Sequence, residues 1–93
     1  MDYFTFSNNT ISLKEKYRDL IQEPITLPYV DINGNSLTTI GNFSGENVKI
    51  THIYFLQNGN SNYTTIANSA FINSGIISID LPSSITIIGS NAF

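Results

Sequence analysis

The 93-residue chain contains no cysteine, so nothing ties it to an oxidising compartment and no thiolate metal site exists. It has a single histidine, and Asp31, Glu46 and Asp80 show no ligand spacing, so neither a metal nor any other cofactor is implied. Gly41, Gly45, Gly59 and Gly75 do not stand between a strand and a helix of the kind that cradles phosphate. Charge is scarce as well: 12% of residues are charged, the net charge is −3 and the sequence pI is about 4.6. This argues against a nucleic-acid ligand, which needs a clustered positive patch. Three of the four basic residues do cluster, at Lys14, Lys16 and Arg18, but Glu15, Asp19 and Glu23 interleave with them and largely cancel the field. No run approaches the roughly 18 apolar residues of a membrane span. Met1 to Thr10 has neither a basic start nor an apolar stretch of useful length, so it is unlike a signal peptide. The expected location is the cytoplasm, without membrane association.

What the chain does have is twelve Asn, eleven Ser, nine Thr and fifteen Ile, with 41% hydrophobic residues overall. β-Branched residues suit strands and Asn and Ser suit tight turns, so the composition predicts many short strands and little helix. It also holds an internal echo. Thr64-Thr65-Ile66-Ala67-Asn68-Ser69-Ala70-Phe71 and Thr86-Ile87-Ile88-Gly89-Ser90-Asn91-Ala92-Phe93 are near copies offset by 22 residues. A period of that size is too long for one strand or helical turn and too short for a domain, so it predicts one supersecondary coil stacked on the next.

Working outward from the echo gives three degenerate coils over 24–93. Ile25-Thr26-Leu27, Ile53-Tyr54-Phe55 and Ile79-Asp80-Leu81 occupy equivalent places, and alternation sends the first and third residue of each into a shared core. Ile40, Ile66 and Ile88 close the coils from the opposite side, and Phe43, Phe71 and Phe93 stack at one corner beside the small Ala70 and Ala92. The first echo, Ile40-Gly41-Asn42-Phe43, lacks two residues before its Phe. From Leu27 to Ile40 is thirteen residues, from Phe55 to Ile66 eleven and from Leu81 to Ile88 seven, so the earlier coils carry loops, turned by Asn33-Gly34 and Asn58-Gly59. Residues 1–23 form the other part of the single domain. Tyr3-Phe4-Thr5-Phe6 reads as a strand and Ser7-Asn8-Asn9 as a turn. Ser12 with Glu15 reads as a capping box opening a helix that Pro24 stops, with Leu13, Tyr17, Leu20 and Ile21 on one face. About ten residues of helix are marginal alone, so this Ser12 to Gln22 helix is expected to dock on the first coil as a cap.

Residues 76–93, Ile-Ile-Ser-Ile-Asp-Leu-Pro-Ser-Ser-Ile-Thr-Ile-Ile-Gly-Ser-Asn-Ala-Phe, carry a more specific signal. They resemble the BspA-type leucine-rich repeat, whose coil reads roughly L-x-x-I-x-L-P-x-S-V-T-x-I-G-x-x-A-F. The second coil matches in its flanks, at Ile50, Ile53 and Phe55 and again at Thr65-Ile66 and Ala70-Phe71, and the first matches loosely, so the resemblance covers about 25–93. The Cys that often follows the Ala-Phe step is missing, with Asn73 nearest that place. The resemblance implies a mainly β fold, a short right-handed leucine-rich-repeat-like solenoid of about three coils, used for protein recognition or adhesion. It implies no catalytic residues.

Between the core positions, Pro24, His52 and Ser78 align in one outward row and Thr26, Tyr54 and Asp80 in the next. Ser, His and Asp thus share one face, but a regular strand offers neither a strained nucleophile turn nor donors for an oxyanion, so a hydrolase is not the reading. A rigid face with an exposed aromatic suits docking, which makes Thr26, His52, Tyr54, Ser78 and Asp80 the candidate contacts for a protein partner. Phe93, at an uncapped last coil, is a further candidate, and edge pairing there would give a homodimer. Lys14 and Arg18 are expected on a solvated helix face. Two alternatives stand beside a non-enzymatic recognition module. One is a small phage or mobile-element inhibitor of a bacterial defence complex, anti-CRISPR-like, suggested by size and acidity. The other is the amino-terminal piece of a longer repeat adhesin.

Overall fold

The computed structural model describes residues 3–17, 24–44, 50–56 and 62–93. Their elements are β1 (Phe4–Ser7), β2 (Thr10–Leu13), a 3-10 turn at Glu15–Tyr17, β3 (Ile25–Leu27), β4 (Thr39–Ile40), β5 (His52–Phe55), β6 (Thr65–Ile66), β7 (Ser78–Ile79) and β8 (Ile87–Ile88). From β3 onward, successive strands alternate between two sheets. One has the order β3-β5-β7 and the other β1-β2-β4-β6-β8, and every pairing except β1 with β2 is parallel.

The registers follow the repeat. Ile25 pairs with Ile53 and Ile53 with Ile79 in the first sheet, while Ile40 pairs with Ile66 and Ile66 with Ile88 in the second. Slipping a strand by one residue would turn its Ile row out to water, so the hydrophobic pattern itself fixes this alignment. Leu27, Leu37, Ile40, Phe43, Ile50, Ile53 and Ile66 are fully buried between the sheets. At the corner Phe43 meets Phe71 at 5.6 Å between ring centroids, and Phe71 stacks on Phe93 at 5.3 Å. Phe4 adds a further ring at 6.2 Å from Phe43. The backbone follows the same ladder, with the Phe43 amide donating to Ala70 O and the Phe71 amide to Ala92 O. Phe43 therefore reaches its corner in spite of the two missing residues. The longer corners pass through left-handed backbone at Ser69 and Asn91, which occupy equivalent places in their coils.

Three core expectations are corrected in the last coil. Leu81 is 37% exposed, Ile88 55% and Phe93 58%. Each belongs to a coil whose strands, β7 and β8, have a neighbour on one side only among the described residues, which leaves their outer side exposed.

The amino-terminal helix is corrected too. Ser12 and Leu13 belong to strand β2, Glu15–Tyr17 is a single 3-10 turn, and no α-helix occurs among the described residues. The rest of the expected helix, 18–22, lies outside them. Strand alternation wins here because Ile11 and Leu13 are both buried while Ser12 between them points away from the core. Ile11 pairs with Ile40, so β2 occupies the place that a preceding coil would. The Ser12 hydroxyl accepts from the Asn42 amide at 3.1 Å instead of capping a helix. β1 folds back on β2 through Asn8 and Asn9, both at positive φ, as the two-residue hairpin turn requires. The Asn9 carbonyl then accepts from the Thr38 and Thr39 amides and fastens the hairpin to the first coil. Tyr17 packs edge-on against Tyr3 at 5.3 Å.

In the first loop, Val30 bridges Ser36 and the turn between them has Gly34 at φ 82°. Asp31 Oδ1 accepts from the amides of Asn33 at 2.8 Å and Asn35 at 2.9 Å. The second predicted turn, Asn58-Gly59, lies outside the described residues. Tyr63 is buried, packs edge-on to Phe55 at 5.3 Å, and donates its hydroxyl to the Pro28 carbonyl.

Candidate functional site

Alternation along β5 buries Ile53 and Phe55 and sends His52 and Tyr54 to the outer side of the three-stranded sheet. The parallel register brings Ser78 beside His52, and Thr26 beside Tyr54. The Asp80 amide donates to Ile53 O at 3.1 Å, which continues the ladder and places Asp80 next to Tyr54. Five of the six residues read from the sequence as contacts thus share one face.

Their side chains form a connected group. The Ser78 hydroxyl is hydrogen-bonded to His52 Nδ1, and His52 Nε2 lies 3.2 Å from Asp80 Oδ2. The tautomer that carries its hydrogen on Nε2 donates a hydrogen bond to Asp80 and accepts one from Ser78 at Nδ1. The imidazole also stacks on the Tyr54 ring at 4.2 Å with 26° between planes. His52 therefore ties β5 to β7 and props the tyrosine. Tyr54 stays 43% exposed and the Asp80 side chain 62% exposed, so the group is open to solvent. A contact this exposed contributes on the order of 1 kcal/mol or less, so the cluster orients side chains more than it holds the fold.

A serine, a histidine and an aspartate in line resemble a proton relay, but the surroundings do not suit acyl transfer. The amide of Ser78 itself donates to Thr51 O at 3.2 Å, and that of Asp80 is taken by Ile53 O. The nucleophile's own amide is therefore unavailable to an oxyanion, and the strand supplies no sharp turn to present the hydroxyl. Among the described residues no group of three or more His, Cys, Asp or Glu could hold a metal ion.

Phe93 lies apart from this face. It sits at the aromatic corner, stacked on Phe71, and belongs with Ile87 and Ile88 to the exposed apolar flank of the last coil. Leu56, 51% exposed and two residues past Tyr54, extends the outward row and was not read as a contact. The signal was present in the same alternation that turned Tyr54 outward. A hollow of about 350 Å³ opens elsewhere, between Phe4, Thr5 and Phe6 of β1 and Asp31, Ile32 and Asn33 of the first loop. None of the candidate contacts lines it. No helix among the described residues is long and apolar enough to cross a membrane.

The family model described as "BspA type Leucine rich repeat region (6 copies)" matches residues 18–93. No curated protein and no solved structure matches the chain. The match begins ahead of the first recognised coil and spans both sheets' parallel strands from β3 to β8. By its sequence and by the placement of its repeated Ile and Phe residues, the chain belongs to the BspA-type leucine-rich repeat family.

Proposed function

We propose that the chain is a non-enzymatic protein-recognition module, a short solenoid that meets its partner through the outward face of β3, β5 and β7. The observation that supports this reading best is the His52–Tyr54 stack held between Ser78 and Asp80. An aromatic ring propped on a rigid sheet loses little conformational freedom when it docks, which is why such residues dominate contact energies. The repeat family supports a protein partner over a small substrate, since stacked coils supply an extended surface. The flank of Ile87, Ile88 and Phe93 is a second surface, suited to receiving another strand of the same kind from a second copy or from another repeat coil. Nothing at either surface favours an inhibitor of a bacterial defence complex over the recognition module.

The test is recovery of partners from an extract of the native host by wild-type protein and by single variants. Tyr54→Ala and His52→Ala are expected to lose the partner, while Thr65→Ala, on the other sheet, retains it. Retention by both face variants, or loss only with Thr65→Ala, would show that the contact lies elsewhere.

A further inference from the structure

Strand β1 closes the five-stranded sheet, and among the described residues it pairs on one side only, with β2. Toward β4, β2 presents the Ile11 carbonyl, which accepts from the Gly41 amide, and the Leu13 amide, which donates to Asn42 O. The main-chain groups of Thr10, Ser12 and Lys14 therefore turn to β1, where they meet Ser7, Thr5 and Tyr3, and the Lys14 amide donates to Tyr3 O at 2.8 Å. The amides and carbonyls of Phe4 and Phe6 are left pointing away from β2, along the open side. At four residues β1 offers the longest free strand edge described, against three in β3 and two each in β7 and β8. Residues 3–7 carry no charge and no proline, the devices that usually keep another strand off an edge.

The hollow of about 350 Å³ runs along this edge. Phe4, Thr5 and Phe6 send alternate side chains to opposite faces of the sheet, yet all three line it, and no residue of β2 does. Only the outer edge of the strand touches all three without meeting β2. Asp31, Ile32 and Asn33 form the opposite wall, where Ile32 is 85% exposed and gives an incoming segment apolar surface to cover. Asp31 is the one charged residue of this lining, and the chain's net charge is −3, so the field favours a cationic guest over a second copy of the same chain. We infer that β1 receives an extended, lysine- or arginine-bearing segment of a protein partner as an added strand, laid between its free edge and the loop of Asp31 to Asn33. Main-chain bonds to Phe4 and Phe6 supply the affinity, and the negative wall supplies the choice. This edge belongs to the other sheet from His52 and Tyr54, so either surface can fail its test without the other.

The test pairs fluorescence anisotropy with amide hydrogen exchange, using a labelled heptapeptide of alternating Lys and Val beside the same peptide with Glu in place of every Lys. The Lys peptide should bind saturably and the Glu peptide at least about tenfold more weakly. Asp31→Asn, its fold checked by circular dichroism, should weaken the Lys peptide about threefold. In the free protein the Phe4 and Phe6 amides have no partner among the described residues and should exchange fast, so stabilising the fold as a whole cannot slow them and only a new acceptor can. At saturation with the Lys peptide both should exchange at least about tenfold more slowly. Failure of the Lys peptide to bind saturably, equal affinity for the Lys and Glu peptides, or saturable binding that leaves both amides unprotected would each overturn the inference. Light scattering without peptide should show a monomer. A dimer in which Phe4 and Phe6 are already protected would give the edge to a second copy and overturn it as well.

Discussion

Tyr63 shows how one residue outside any repeat can anchor two coils. It lies in the loop before β6, yet it is 1% exposed and gives its hydroxyl to the carbonyl of Pro28, 35 residues earlier. Tyr63→Phe keeps the packing on Phe55 but leaves that carbonyl unsatisfied, and should cost about 1–3 kcal/mol in urea unfolding. Burial also raises the phenol above its ordinary value of 10.0, because the charged form is disfavoured inside. A raised folded value means the native state holds the proton longer, so this contribution is complete below pH 10 and is lost as pH rises further. The alkaline fall in stability should therefore be shallower in Tyr63→Phe than in the wild type. Asp31 works in the opposite sense. The Asn35 amide, helped by the Asn33 amide and the Asn35 side chain, holds its carboxyl below the ordinary 3.8 against a smaller desolvation. Its contribution is present above that value and lost as pH falls through the lowered one. Acid unfolding followed in Asp31→Asn should show a flatter limb below pH 4 than the wild type, and identical limbs would contradict the role given to the carboxylate.

At the scale of elements, the close approach of one coil to the next rests on a missing side chain. A Cβ on Gly89 would lie 2.5 Å from Asn68 N and 2.7 Å from Ala67 C, both backbone atoms of the preceding coil that cannot turn aside. Gly89→Ala must push β8 away from β6 and is expected to destabilise by about 1–3 kcal/mol, measured by thermal or urea unfolding. Unchanged stability would mean that the two strands do not approach as closely as described. The Ile rows of both sheets were legible in the sequence, because the echo between 64–71 and 86–93 and the alternation around Ile53 and Ile79 point to one register. The outward rows of Thr26, His52, Tyr54, Ser78 and Asp80 followed from that register. The hairpin cap was not legible. Leu13, Tyr17, Leu20 and Ile21 have helical spacing, while Ile11 and Leu13 fit a strand equally well. Only the chance to extend a sheet at Ile40, a tertiary contact, decides between the two. Tyr63 was not legible because it has no counterpart in the other coils. The bond from His52 to Asp80 depended on rotamers that no spacing specifies.

For the whole molecule, the recognition face depends on the stacking order. The face of His52, Tyr54 and Asp80 exists only if β5 and β7 are neighbours at the stated register, and the Ile and Phe core exists only if β4, β6 and β8 follow one another in the second sheet. The hairpin then lies beside β4 on one side of the stack, and the exposed Ile88 and Phe93 lie on the other. The most direct test is detection of scalar couplings across hydrogen bonds in a long-range HNCO experiment. Couplings are predicted from the amide of Ala67 to the carbonyl of Ile40, from Gly89 to Ile66, and from Asp80 to Ile53. Their detection would establish both sheets and the site's register at once. Coupling of Gly89 or Asp80 to any other carbonyl would contradict the stack and the recognition face built on it.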